Sequence, residues 1–221
     1  MVLTKKYQSS QSAIASYNYT DIAAGVGYVS YYGGNVVSGG AILYKLSGNT
    51  FYSDRVLTAS LVALQSFTKE IDLDFDVLFK QPQTIEGAAI CNIPFGIYAQ
   101  VSASTYNAFA HVRIRKFSGG TETEIANASG AVFTLASTGV NEYKYAMDAI
   151  TMEIPQTHYK IGDTLRITAE LWESGTGTPD GYVFMGHDPR NRATTNKETI
   201  SLTFGTEPSN LIIQIPFRID V

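Results

Sequence analysis

The sequence predicts an all-β protein: an antiparallel β-sandwich, jelly-roll-like in topology, with an extended N-terminal arm. Three observations carry this. Apolar and polar residues alternate with period two through many short segments, clusters of Gly, Asn, Asp and Pro punctuate them, and no stretch of helical period separates them. The run IPQTHYKIGDTLRITAEL shows the pattern best, with Leu165, Ile167, Ala169 and Leu171 on one face and Thr164, Arg166, Thr168 and Glu170 on the other. Lys160-Ile161-Gly162-Asp163 ahead of it forms a turn, because Gly takes positive φ and Asp bonds the nearby backbone.

Residues 1–20 are rich in Ser, Tyr, Gln and Asn without periodicity and read as the arm; residues 21–221 read as one domain. Ser9, Ser10, Gln11 and Ser12 give the arm few apolar anchors, so it cannot offset an ordering cost of about 1–2 kcal/mol per residue alone. Docking on a neighbouring copy through Tyr7, Ile14, Tyr17 and Tyr19 would offset it. Strands are then expected at Gly27 to Tyr32, Ala41 to Leu46, Leu61 to Phe67, Ile71 to Phe79, Ala88 to Val101 and Ala108 to Phe117. Further strands follow at Thr121 to Asn127, Tyr143 to Ile154, Thr164 to Trp172, Tyr182 to Gly186, Thr199 to Phe204 and Leu211 to Ile219. Gly119-Gly120 supplies the two positive-φ positions of a primed hairpin turn. Other breaks are expected at Gly33-Gly34, Gly39-Gly40, Gly48-Asn49 and from Glu173 to Gly181. The missing amide of Pro216 places the end of the last strand at a sheet edge.

Composition narrows the function. A chain of 221 residues, 44% hydrophobic, buries about 70% of its unfolded surface. Its net charge of −4 and scattered Lys and Arg offer no basic face for nucleic acid. No apolar run approaches the ~20 residues of a membrane-spanning helix, and the opening lacks the apolar block of a secretory signal, so synthesis in a cytoplasm is expected. Cys91 has no partner and reads as a small buried hydrophobe. The sequons at Asn18 and Asn127 carry no weight without secretion.

Few residues suggest chemistry. Glu70, Asp72, Asp74 and Asp76 share one strand face at roughly 7 Å spacing, so they diverge rather than converge on a metal; cross-strand cations from His111, Arg113 and Arg115 are expected to neutralise them. In Gly186-His187-Asp188-Pro189-Arg190-Asn191-Arg192, Asp188 to Asn191 fit a type I turn capped by Asp188. An exposed loop there would present His187, Arg190 and Arg192 to a partner, the arginines as bidentate donors. His187 with Asp188 lacks the Gly-x-Ser-x-Gly elbow of a hydrolytic triad. His111 and His158 are isolated and show no zinc spacing. Glycine pairs lack a dinucleotide-binding context. Trp172, with some of the 14 Tyr, is a candidate sugar-stacking platform. No cofactor and no catalytic residue is expected.

The segments TDIAAGVGYVSYYGG, FYSDRV, HVRIRKFSGGTETEIA, IPQTHYKIGDTLRITAEL, GHDPRNR and IPFRIDV occur in an order that resembles uncharacterised virion structural proteins of tailed bacterial and archaeal viruses. That resemblance implies a non-enzymatic protein of the virion, decorating or cementing a capsid through contacts with itself and the major capsid protein. The alternative it leaves is a carbohydrate-binding or receptor-binding module of a tail or fibre. A hydrolase on a sandwich scaffold ranks third, because function is argued from a site and none is evident.

Overall fold

A computed structural model describes residues 15–16, 26–62, 66–177, 181–192, 195–196, 202–203 and 207–218. Among these there is no helix, and the all-β class stands. The strands in chain order are β1 (Ala15–Ser16), β2 (Val26–Ser38), β3 (Ala41–Ser47), β4 (Leu57–Leu61), β5 (Thr68–Leu78), β6 (Gln83–Ala99), β7 (Thr105–Ser118) and β8 (Thr121–Ser129). They continue with β9 (Phe133–Ala136), β10 (Glu142–Tyr159), β11 (Thr164–Thr176), β12 (Gly181–Gly186), β13 (Thr195–Asn196), β14 (Leu202–Thr203) and β15 (Leu211–Arg218).

Hydrogen bonding in the main sheet runs along one path, β4-β12-β6-β15-β2-β3-β5-β11-β7-β8, with β10 added to β6, β9 to β7 and β1 to β2, while β13 and β14 pair with each other. The two halves of this path join through a single parallel pairing, Lys45 with Asp76, between β3 and β5. Period-two burial then builds one core from both halves: Ile93, Phe95 and Ile97 of β6 and Ile213 and Ile215 of β15 lie in the same cluster as Phe75 of β5, Ile114 of β7 and Leu165, Ile167 and Leu171 of β11. Each such side chain contributes roughly 1.5–3 kcal/mol on leaving water. Cys91 belongs to this cluster, and its burial pushes the thiol up to about 12.

The turns follow the expected chemistry. Gly119 and Gly120 adopt φ of 57° and 83°, and Gly39 and Gly40 adopt 58° and 84°. Gly162 sits at 90°, and the Lys160 amide donates to the Asp163 carboxylate at 2.8 Å.

Elsewhere packing overrides local signals. β2 runs straight through Gly33-Gly34, because these glycines make room for neighbours: a Cβ on Gly34 would lie 2.7 Å from the Phe51 ring and 3.0 Å from Pro189. Leu61 ends a strand where one was expected to begin, since pairing with β12 fixes β4 at Leu57–Leu61. Pro216 is not at an edge: β15 lies between β2 and β6, and the ladder to β6 skips from Gln214 to Phe217 around the proline. Ala15 and Ser16 pair with Val29 and Tyr28. Tyr7, Ile14, Tyr17 and Tyr19 lie outside the described residues.

Candidate functional site

Three surfaces bring chemistry-bearing side chains together. The densest is a rim where β2, the segment 48–56 and the turn after β12 meet. Asn35 on β2 is buried and clamps that segment: its Oδ1 accepts the Arg55 amide at 3.0 Å, and its own amide donates to Ser53 Oγ at 2.9 Å. Asp54 adds a second clamp, its carboxylate accepting the Val37 amide at 2.6 Å.

The turn after β12 takes the expected type I form, with the Asn191 amide donating to the Asp188 carbonyl at 2.9 Å. The Asp188 carboxylate is buried and accepts the Arg192 amide at 2.6 Å and its Nε at 2.9 Å. Arg192 Nη2 also donates to the Ser53 carbonyl at 2.6 Å, tying the turn to the segment beneath. Asn191 completes the lock in the left-handed region at φ 51°, its Oδ1 accepting the Ser209 amide at 2.6 Å.

This frame encloses His187 and thrusts out two side chains. His187 is fully buried and cannot touch a partner. Arg190 is exposed, its guanidinium carbon 4.3 Å from the centre of the Tyr52 ring, and Tyr52 is itself 65% exposed. Arg192 approaches the same ring at 5.3 Å, so Tyr52 lies against two guanidiniums.

Around His187 a hydroxyl, an imidazole and an amide line up as in a nucleophile–base–orienter array. Thr58 Oγ1 lies 2.9 Å from Nε2, and Asn35 Nδ2 lies 3.3 Å from Nδ1. The wiring opposes catalysis. The Arg55 backbone fixes the Asn35 amide so that its NH2 faces Nδ1, leaving Nε2 as the proton-bearing nitrogen toward Thr58. Burial lowers the imidazole to about 4 despite the adjacent Asp188 charge, so it is a weak base at neutral pH. Thr58 bonds onward to the Tyr44 hydroxyl at 3.0 Å.

The second surface is the charged face of β5, β11 and β7. β11 intervenes between the acid row and the expected row of cations, so the partners differ. Arg166 holds Asp76 with two bonds of 2.8 Å, Thr168 donates to Asp74, and Lys69 pairs with Asp72. Arg113 reaches Glu170 at 2.9 Å and Glu124 at 2.9 Å. Burial would raise the Glu170 carboxyl, but Trp172 Nε1 at 2.8 Å, Arg113 and Lys69 together hold it below its ordinary value. Among the described residues no group of His, Cys, Asp and Glu could hold a metal. His111 and His158 each bond one hydroxyl, of Ser129 and Thr84. Trp172 stacks on Phe109 at 6.2 Å, with Phe67 edge-on to Phe109 at 5.1 Å.

The third is an aromatic ladder on β10, β6 and β12. Tyr143, Tyr98 and Tyr182 share one rung, and Tyr145, Gly96 and Phe184 the next. Gly96 is required there because any Cβ would overlap the Phe184 ring. Tyr98 and Tyr143 lie 4.4 Å apart, and Tyr98 donates to Asn141 at 2.6 Å.

Sequence reading found the turn and its arginines but missed Asn35, Ser53 and Tyr52, whose partners lie far along the chain. The aromatic ladder did leave a signal, in the period-two pairs Tyr143/Tyr145 and Tyr182/Phe184.

No protein-family profile and no curated protein sequence matches the chain. Its structure superposes on a selenomethionine-labelled alpha-amino acid ester hydrolase with a TM-score of 0.52 at 10% identity, over 86% of this chain and 36% of that one. An aminopeptidase from a marine sediment Thaumarchaeota archaeon gives 0.48 at 9% identity over 86% and 37%. A CocE/NonD family hydrolase from Staphylococcus aureus gives 0.39 at 13% over 85% and 36%. The chain thus spans about a third of the length of the solved structures it matches. What the first superposition shares with this chain is the fold, an all-β arrangement present inside a hydrolase. It overturns the resemblance to virion structural proteins and the expectations built on it: a capsid-decorating, cementing, tail or fibre role, a non-enzymatic protein, and residence in a virion.

Proposed function

We propose that this chain is a hydrolase-related β-domain, the part of a hydrolase assembly that presents a rigid binding rim beside a nucleophile supplied from beyond its described residues. The observation that carries this reading is the superposition on an ester hydrolase, which takes up 86% of this chain but 36% of that one, so the fold occurs there as one portion of a larger enzyme. The rim supports it. Asp188, Asn35, Ser53 and Asn191 spend their hydrogen bonds holding the backbone, and the outcome is a fixed placement of Tyr52 and Arg190 at the surface. The Thr58–His187–Asn35 array serves the same end, since its imidazole is neutral, enclosed and a poor base.

In this reading the domain binds and orients while the bond-breaking group comes from the rest of the assembly; orientation of this kind lowers a barrier through prepaid entropy. Capture of the chain from cells that make it, followed by assay with nitrophenyl and α-amino acid esters, tests the proposal. Ester turnover that co-elutes with the chain and persists when the captured chain carries Thr58→Ala is expected. A capture rich in the chain that turns over no ester contradicts it.

A further inference from the structure

We infer that Arg190 and Tyr52 form a binding site for a single carboxylate attached to a flat or apolar group. Arg190 is exposed, and among the described residues its guanidinium makes no hydrogen bond; its backbone amide alone is engaged, with Asp188 at 3.3 Å. The guanidinium carbon lies over the Tyr52 ring at 4.3 Å, a cation–π contact that restrains the planar group while its fork of donors makes no hydrogen bond among the described residues. A guanidinium already ordered in this way loses less freedom when it takes two parallel bonds to a carboxylate.

The neighbouring charges set the class of anion. Arg192 is spent on Asp188 and the Ser53 carbonyl, and Asp188 cancels its charge, whereas the Arg190 guanidinium makes no ion pair among the described residues. One charge in a planar fork matches a carboxylate better than a dianionic phosphate. The apolar side of the ligand has a place as well: Tyr52 is 65% exposed. Phe51 beside it is packed over Gly34 and next to Pro189, with Lys45 4.9 Å from its ring centre. The turn that carries Arg190 cannot drift, since Asn191 and Asp188 pin it on both sides.

The site stands on the geometry of the rim; that its ligand is the acid released by ester cleavage rests on the hydrolase reading. Binding of benzoate, methyl benzoate and phenyl phosphate to the full chain, followed by two-dimensional NMR, tests it. Benzoate is expected to bind saturably and to shift the signals of Tyr52 and Arg190, with about tenfold loss of affinity in Arg190→Met and a smaller loss in Tyr52→Ala and Arg190→Lys. Rising salt should weaken it, as for any exposed charge pair. Equal binding of methyl benzoate, tighter binding of phenyl phosphate, absence of saturable binding, or unchanged affinity in Arg190→Met would each overturn the inference. Benzoate binding by a chain whose captured assembly turns over no ester leaves the site intact and removes the hydrolase reading, whereas an active assembly whose chain ignores benzoate does the reverse.

Discussion

His187 makes the stability of this protein fall in mild acid, and the size of the fall follows from its enclosure. The imidazole is fully buried, and burial lowers its pKa from 6.5 to about 4. Between those values the unfolded chain binds a proton that the folded chain refuses, so stability rises with pH through that window and is lost as pH falls through it. At ~1.4 kcal/mol per pH unit, the loss from pH 6.5 to pH 4 is on the order of 3 kcal/mol. For a chain of this length that is roughly 6–12 °C of melting temperature. Other groups must be separated from it. His111 is also lowered by burial and adds to the same slope, whereas Asp163, drawn from 3.8 to about 2 by the Lys160 amide, Ser118 and Lys116, withdraws its stability only below the His187 window. Asp148, raised by burial, works in the opposite direction by favouring the folded state in acid. Urea unfolding from pH 4 to 7 on the parent and on His187→Gln isolates the imidazole, because the comparison uses the slope rather than the absolute stability. A slope that survives the substitution undiminished refutes the burial argument.

Other perturbations read other parts of the structure. Asp188→Asn removes the charge that Arg192 and two backbone amides share, which should cost about 2–3 kcal/mol in chemical unfolding, short of a fully buried pair because Arg192 is partly exposed; a change within the ~0.5 kcal/mol of an ordinary surface substitution contradicts the rim as drawn. Gly119→Val forces a β-branched residue to φ near 57° and should cost on the order of 1–3 kcal/mol, so an unchanged melting temperature places the turn elsewhere. Titration with Ca²⁺ should give no saturable heat, since Arg166, Thr168 and Lys69 already occupy Asp76, Asp74 and Asp72; stoichiometric binding abolished by Asp74→Asn would show those pairs to be dispensable.

Local signals in the sequence were legible wherever a residue acts on its own neighbours. The Gly119-Gly120 and Lys160-Ile161-Gly162-Asp163 turns and the Asp188 type I turn each need only adjacent residues and formed as expected, and β11 formed as a strand, although packing buries Thr168 and Glu170 on its polar face as well. What failed was long-range. Gly33-Gly34 signals a turn by itself, but it serves as space for Leu211, Phe75, Phe51 and Pro189, which arrive from other parts of the chain. The acid row was expected to meet the cations of β7 directly, and β11 came between them. The rim shows the same division. Asp188 and Arg192 are four residues apart and readable, whereas Tyr52, Asn35 and His187 converge only through strand order, which period-two alternation does not encode.

The most direct test of the hydrolase reading is where a fluorophosphonate probe attaches. Applied to the assembly captured with this chain and mapped by mass spectrometry, the probe should mark a nucleophile outside the described residues, in step with loss of ester turnover, and leave Thr58 unmodified. An assembly that the probe does not label, or label on Thr58 itself, would contradict the account.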